Sequence, residues 1–240
     1  MRGEWWLWAE QLRVLVFPRR CPFCGRVLGF LTRCPDCEPE LKQLKLMIPR
    51  LPDSEHCMEH LSGVAAVCRY DGCVREAILR MKNGGQGYCA RELGVWMAAE
   101  IFGCTFRQQR GIIRLEQSPV LRRFDLVVPV PASGRERGYN LPDLLARQLA
   151  WALDTPLDCG ALQKIRRTEK QEGKTARQRM ENVKNAYRAT NPGTVEGRRV
   201  LLVDDVITTG ATLSNCAKAL RAAGALDVFA VTLAETQFAR

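Results

Sequence analysis

The stretch VLLVDDVITTGATL, at residues 200–213, contains in order an apolar run, an acid pair, a Thr/Gly turn and a helical pattern. Val200–Val203 is typical of a strand that is buried on both faces of a parallel sheet. Asp204 and Asp205 follow it at the carboxyl end of the strand, where open α/β sheets bind their ligands. The amphipathic segment Ala211–Ala223 then predicts a helix that begins directly after the turn.

The two ends of this stretch suit opposite chemistries. Backbone N–H groups at a helix start, together with threonine hydroxyls, bind anions, and Gly210 allows the backbone to approach a phosphate closely. The carboxylates of Asp204 and Asp205 would repel a phosphate, so they suit sugar hydroxyls or a bound Mg²⁺. We expect both carboxylates at a solvent-facing strand end. The stretch therefore predicts a site for a ribose 5-phosphate.

Strands and helices alternate through the rest of the chain, which predicts an α/β fold: a parallel sheet with helices on both faces. We predict residues 104–123 to be irregular. The predicted strands are Val64–Tyr70, Leu126–Val130, Leu157–Leu162, Ala186–Arg188 and Val228–Leu233, and the predicted helices are Val74–Lys82, Ala90–Phe102 and Leu141–Leu153.

Two C-x-x-C pairs lie near the N-terminus, formed by Cys21, Cys24, Cys34 and Cys37. Two such pairs predict a closed structural Zn²⁺ site with four thiolate ligands, and a segment this small needs the metal to fold. Neither pair stands at the start of an α/β unit, which argues against a thioredoxin-like redox function. The 11 cysteines in total are not spaced like a secreted disulfide scaffold, so we expect a cytoplasmic protein.

The formal net charge is +10, which favours anionic partners such as phosphates, nucleotides or nucleic acid. Residues 1–17 predict an amphipathic helix, which docks on its own domain or serves a partner or a membrane surface. There is no run of 18 apolar residues, so no membrane span is expected. Residues 18–62 are predicted to form the zinc module and its connector, and residues 63–240 the α/β domain.

Four sequence features together resemble the ComF family, which includes the GntX proteins. They are the two C-x-x-C pairs, the R-x-K-N-G-like turn at Arg80–Gly84, PVPAS followed by RERGYN at residues 129–140, and RRTEKQ from residue 166. Residues 200–213 themselves resemble the signature of type I phosphoribosyltransferases, which bind phosphoribosyl pyrophosphate (PRPP). One departure is Leu141, which stands where family members usually carry Gln.

The resemblance implies a type I phosphoribosyltransferase fold that binds PRPP with Mg²⁺. By the same resemblance, Asp204 and Asp205 bind the ribose hydroxyls, and a loop cradles the 5-phosphate with Thr208, Thr209, Gly210, Ala211 and Thr212. It further implies that Arg135, Arg137 and Lys82 stabilise the leaving pyrophosphate. The basic stretch at residues 164–188 stands in the place of a flexible lid.

Three functions follow from these expectations. The first is a phosphoribosyltransferase with an unknown acceptor, and the second is a PRPP-sensing module without turnover. The third is an adaptor that uses the zinc module and residues 164–188 to hold single-stranded DNA and partner proteins. The family resemblance implies a role in natural competence, with partners such as a DNA helicase or DNA-processing factors.

Overall fold

The structure is a computed structural model, and it describes residues 16, 18–29, 31–51, 58–109, 112–118, 123–132, 138–166 and 186–236. Nearly all of the predicted N-terminal helix, Arg135, Arg137 and residues 167–185 of the predicted lid lie outside this described part of the chain.

The core of the protein is a parallel sheet flanked by helices. The strands are β1 (Gly63–Arg69), β2 (Thr105–Gln109), β3 (Ile112–Gln117), β4 (Leu126–Pro129), β5 (Leu162–Lys164), β6 (Tyr187–Ala189), β7 (Arg199–Ile207) and β8 (Asp227–Glu235). The helices are α1 (Glu38–Leu44), α2 (Gly72–Gly84), α3 (Ala90–Phe102), α4 (Leu141–Ala152) and α5 (Ala211–Ala222). The four-stranded sheet has the order β1-β8-β7-β4, and every neighbouring pair is parallel. The predicted α/β class is therefore confirmed.

Both faces of the sheet are buried. Successive side chains of each strand point to opposite faces, so each strand contributes to an apolar cluster on either side. Leu201 and Val203 of β7 join one apolar cluster, which includes α2, α3 and α4. Val200 and Leu202 join a second cluster, which includes α5. The uninterrupted apolar run that predicted a doubly covered strand thus supplies both layers of the core.

Two predicted segments were wrong. Residues 104–123 contain the antiparallel hairpin β2–β3, in which Ile113 and Leu115 alternate with charged residues, a period of two that the basic composition obscured. The segment Leu157–Leu162 is not a strand of the sheet. Leu157 makes a single bridge to Val127, and the Asp158 carboxylate then accepts the Gly160 N–H at 2.8 Å, which turns the chain. The strand begins only at Leu162, as β5, and pairs antiparallel with β6.

The connector after α1 runs antiparallel along the outer edge of β1. Lys45 lies opposite Cys68, and Arg50 lies opposite Ala65. The edge strand is therefore covered, and the cysteine segment is held against the α/β domain. In the described part of the chain, no helix is long and apolar enough to cross a membrane.

Candidate functional site

The acid pair lies inside β7, not beyond its end. Pairing with β8 continues past Asp204, which lies opposite Thr232, as far as Ile207 opposite Glu235. The Asp205 N–H donates to the Asp204 carboxylate at 2.8 Å. Asp205 is only 6% exposed, so the expectation that both carboxylates face solvent was wrong for this residue. Its burial follows from the extra length of the β7–β8 ladder.

Lys82 forms an ion pair with the buried carboxylate. Its Nζ lies 2.8 Å from Oδ1 and 2.7 Å from Oδ2 of Asp205. Lys82 belongs to the last turn of α2, where the helix dipole favours a cation. The helix ends there because Gly85 adopts a left-handed conformation with φ 68°. The structure thus brings Lys82, predicted to contact pyrophosphate, directly onto the acid pair.

Burial and mutual repulsion decide the protonation of this cluster. Burial, with repulsion from the Asp205 carboxylate, raises the pKa of Asp204 to about 7. Burial alone would lower the pKa of Lys82, but the Asp205 and Asp204 carboxylates outweigh it, so the Lys82 pKa is raised. Near neutral pH, Lys82 is therefore charged while Asp204 is close to its titration point.

The predicted phosphate loop connects β7 to α5. Gly210 has φ 78° and directly precedes Ala211, the first residue of the helix. A glycine has no side chain that could cap the first-turn N–H groups, and that turn holds no acidic residue. These N–H groups suit an anion. The buried Thr209 hydroxyl accepts the Ala211 N–H at 3.4 Å, and Thr212 hydrogen-bonds the Tyr187 side chain of β6.

Two residues of the RERGYN motif, to which the sequence assigned no contact, hold the neighbouring loop in place. The Tyr139 hydroxyl donates to the backbone carbonyl of Met81, next to Lys82. The Asn140 amide donates to the Val130 carbonyl at 2.9 Å and to the Asp143 carboxylate at 2.8 Å. The Y-N pair directly before a helix, with an acid three residues on, was the available signal.

The four predicted cysteine ligands converge in the segment that precedes α1. Their sulfur atoms all lie within 4.8 Å of one another. Two of the separations are 3.8 Å, between Cys21 and Cys37, and 3.6 Å, between Cys24 and Cys34. A tetrahedron with metal–sulfur bonds of about 2.3 Å has edges of about 3.8 Å, so these thiols fit one tetrahedral ion. Burial raises the pKa of Cys21 to about 11, and a bound cation would offset that penalty.

One helix end contacts both sites. The Arg80 guanidinium donates to the backbone carbonyl of Phe23, between the first two cysteines. The Phe23 ring packs edge-on against Trp96 with centroids 5.7 Å apart. Residues two apart on a helix face different ways, so Lys82 is directed to the acid pair while Arg80 is directed to the cysteine segment. The R-x-K motif therefore links the two sites physically.

A family model described as "Phosphoribosyl transferase domain" matches residues 115–237, which include β7, the acid pair and α5. Competence protein F of Haemophilus influenzae is 30% identical to the chain, over 88% of this chain and 95% of that protein. This chain belongs to the ComF family of phosphoribosyltransferase-like proteins. The family resemblance predicted from the sequence motifs is thus confirmed.

Other ComF-family relatives match to different extents. Competence protein ComFC of Bacillus subtilis is 29% identical, over 89% of this chain and 76% of that protein. DNA utilization protein YhgH of Escherichia coli is 37% identical over 120 residues, which cover 49% of this chain and 52% of that protein. The match to YhgH thus spans about half the length of each protein.

The ion pair at the site gives a testable expectation for stability. Asp205→Asn leaves the Lys82 ammonium without its main partner. Removing one member of a buried pair costs about 3–5 kcal/mol, and because the Lys82 side chain is 29% exposed we expect about 1–3 kcal/mol here. Urea unfolding of the two single variants and the Asp205→Asn/Lys82→Met double variant measures the coupling. Additive single effects would contradict the ion pair.

Proposed function

We propose that this ComF-family chain binds PRPP together with Mg²⁺ and transfers its phosphoribosyl group to an acceptor. The observation that supports this most is the continuity of β7, the Gly210 turn and α5. Within one strand–turn–helix unit, carboxylates suited to sugar hydroxyls precede N–H groups suited to a phosphate. This order suits a ribose 5-phosphate, which carries hydroxyls on its ring and a phosphate at one end.

The proposed roles match each group of residues to one part of PRPP by its charge and its hydrogen-bonding capacity. Asp204 and Asp205 accept hydrogen bonds from the ribose hydroxyls, and residues 208–212 donate to the 5-phosphate. Lys82, Arg135 and Arg137 stabilise the negative charge that develops on the departing pyrophosphate, a form of electrostatic catalysis. Bound Mg²⁺ supplies further neutralisation of the diphosphate charge.

Pyrophosphate release tests the transferase proposal. The protein is incubated with PRPP and Mg²⁺, with each nucleobase or with single-stranded DNA, and pyrophosphate is quantified against an acceptor-free control. We expect one acceptor class to accelerate release, and Asp204→Asn to abolish the acceleration. If PRPP binds but no acceptor accelerates release, the PRPP-sensing function takes the place of the enzyme.

We also assign the four-cysteine cluster to a structural Zn²⁺. Four thiolates complete the tetrahedral coordination of the ion, which leaves no position for a reactive water. Three of the cysteines share one buried apolar cluster with Phe23, and Trp96 of α3 packs against it, so the proposed function of the metal is to fix the N-terminal segment on the α/β domain.

For the role in the cell, we propose natural competence: the handling of incoming single-stranded DNA in the cytoplasm. Support comes from the relatives named for competence and DNA utilization. The partners we expect are a DNA helicase or DNA-processing factors. The alternative is an adaptor without turnover, which the net charge of +10 and the nine Lys/Arg against three Glu at residues 164–188 favour.

Salt dependence decides whether the basic stretch binds DNA. If it follows a single strand, the logarithm of affinity should fall with the logarithm of salt by roughly 0.7 per phosphate contacted. Changing Arg166, Arg167, Lys170 and Lys174 to Gln should flatten that slope by about two to three units. Titrations of single-stranded DNA at several salt concentrations measure this. A slope that the four changes leave intact would assign the stretch to a lid alone.

A further inference from the structure

The Lys82 ammonium bridges the two carboxylate oxygens of Asp205, one member of the acid pair. It contacts both oxygens of Asp205, at 2.8 Å and 2.7 Å, and Asp205 in turn is joined to Asp204 through its N–H. Any hydroxyl or cation that approaches the Asp205 carboxylate on the side that Lys82 bridges must compete with this ammonium. An internal cation of the protein therefore lies where the ligand is proposed to bind.

Lys82 is placed there by a clamped helix end. The Tyr139 hydroxyl donates to the carbonyl of Met81, one residue before Lys82. Gly87 passes so close to Tyr139 that a Cβ at this position would lie 3.1 Å from the ring. Gly85, with φ 68°, ends the helix between these contacts. The end of α2 is thus fixed by packing on both sides, while the lysine stem retains its own rotatable bonds.

We propose that Lys82 is an internal counter-ion of the acid pair. Its ammonium excludes free Mg²⁺ from the pair, and the side chain moves to the diphosphate when PRPP binds. This rests on the proposed PRPP site and specifies how that site selects its ligand. Mg²⁺ gives up its water reluctantly, so it competes poorly with an ammonium already in place. A ligand that carries a diphosphate offers Lys82 a new anionic partner, whereas Mg²⁺ alone offers none.

The movement of Lys82 from Asp205 to the diphosphate favours ligands that carry a diphosphate. Ribose 5-phosphate needs the Asp205 oxygens but carries no diphosphate, so its binding leaves the displaced ammonium without compensation. PRPP supplies the compensation in the same molecule. Lys82 therefore favours PRPP over ribose 5-phosphate. The contact between Tyr139 and Met81 keeps the lysine within reach of both Asp205 and the diphosphate.

Thermal unfolding with and without Mg²⁺ tests the exclusion. The parent should show little change in Tm when Mg²⁺ is added alone. Lys82→Met exposes the acid pair, and Mg²⁺ at about 100 times its Kd should then raise the Tm by roughly 5–10 °C. Lys218→Met is the matched control, since Lys218 is an exposed lysine of α5, and it should respond as the parent does. Equal Mg²⁺ responses in the parent and Lys82→Met would overturn the proposal.

Calorimetry with two ligands tests the transfer of Lys82. Lys82→Met should bind ribose 5-phosphate at least as tightly as the parent. It should lose about 10-fold or more of the preference for PRPP, the size expected for one hydrogen bond to a charged group. An unchanged preference would overturn the transfer. If the parent binds neither ligand, the PRPP site itself fails, and the Mg²⁺ series still decides on the exclusion separately.

Tyr139→Phe covers the case in which Lys82→Met does not fold. It keeps the ring that packs on Gly87 and removes only the hydroxyl that holds Met81. We expect a smaller Mg²⁺-dependent rise in Tm in the same direction as for Lys82→Met. A Mg²⁺ response identical to that of the parent would contradict the clamp.

Discussion

Asp204→Asn is expected to make the protein more stable at pH 8 and, at the same time, to weaken its binding of PRPP. The pKa of Asp204 is raised to about 7 because burial and the Asp205 carboxylate oppose its charge. The stability that this group contributes is therefore fully present below the unfolded-state pKa. It is lost as the pH rises through about 7. Asparagine resembles the protonated acid and keeps that stability.

The size of the effect follows from the pKa shift. We expect the stability difference between Asp204→Asn and the parent to grow between pH 4 and pH 8 by an amount on the order of 1–4 kcal/mol. In the same variant, PRPP affinity should fall by about 10- to 150-fold, because a hydrogen bond to a charged acceptor is lost. Urea unfolding at several pH values and calorimetry measure the two effects. A variant that is destabilised at pH 8, or that keeps full PRPP affinity, contradicts the assignment.

Loss of one cysteine ligand is expected to have the largest effect on the fold. Binding of a structural Zn²⁺ contributes apparent free energies of about 10–16 kcal/mol, which rivals the entire stability of a typical domain. Cys34→Ser should therefore release the metal and expose residues 18–37 to proteolysis. The β7–β8 ladder lies in the buried sheet, and we expect it to stay protected.

Metal analysis and limited proteolysis check this expectation. The parent should carry one Zn²⁺ per chain, and Cys159→Ser, which changes an exposed cysteine outside the cluster, should match it. A metal-free parent whose N-terminal segment resists protease would contradict the zinc assignment. Collapse of the whole sheet in Cys34→Ser would instead show that the cysteine segment and the α/β domain unfold as one unit.

The parts of the site that the sequence predicts are those formed by neighbours in the chain. The acid pair, the Gly210 turn and the start of α5 follow one another directly, and local rules for strands, turns and helix starts are sufficient. The cysteine cluster was predictable for the same reason. Two C-x-x-C pairs specify their own geometry once a single ion joins them.

The parts that the sequence could not predict depend on contacts between distant segments. The ion pair between Lys82 and Asp205 joins residues 123 positions apart. The burial of Asp205 depends on how far β8 runs beside β7, and no local pattern reports that length. The contact between Tyr139 and Met81 likewise arises only when α2 and the loop before α4 pack together. The sequence therefore indicates the chemical groups of the site, but not that Asp205 already holds Lys82 as its counter-ion.

Calorimetric titration of PRPP with Mg²⁺ into the parent protein shows whether the acid pair and its loop bind PRPP. We expect one site per chain with a Kd on the order of 1 µM to 1 mM, the range of ordinary enzyme–substrate affinities. Ribose 5-phosphate should compete for this site, whereas ribose without a phosphate should not. If the folded, metal-loaded protein gives no binding heat with PRPP, or if Asp204→Asn binds it as tightly as the parent does, the assignment of the acid pair and its loop to PRPP is contradicted.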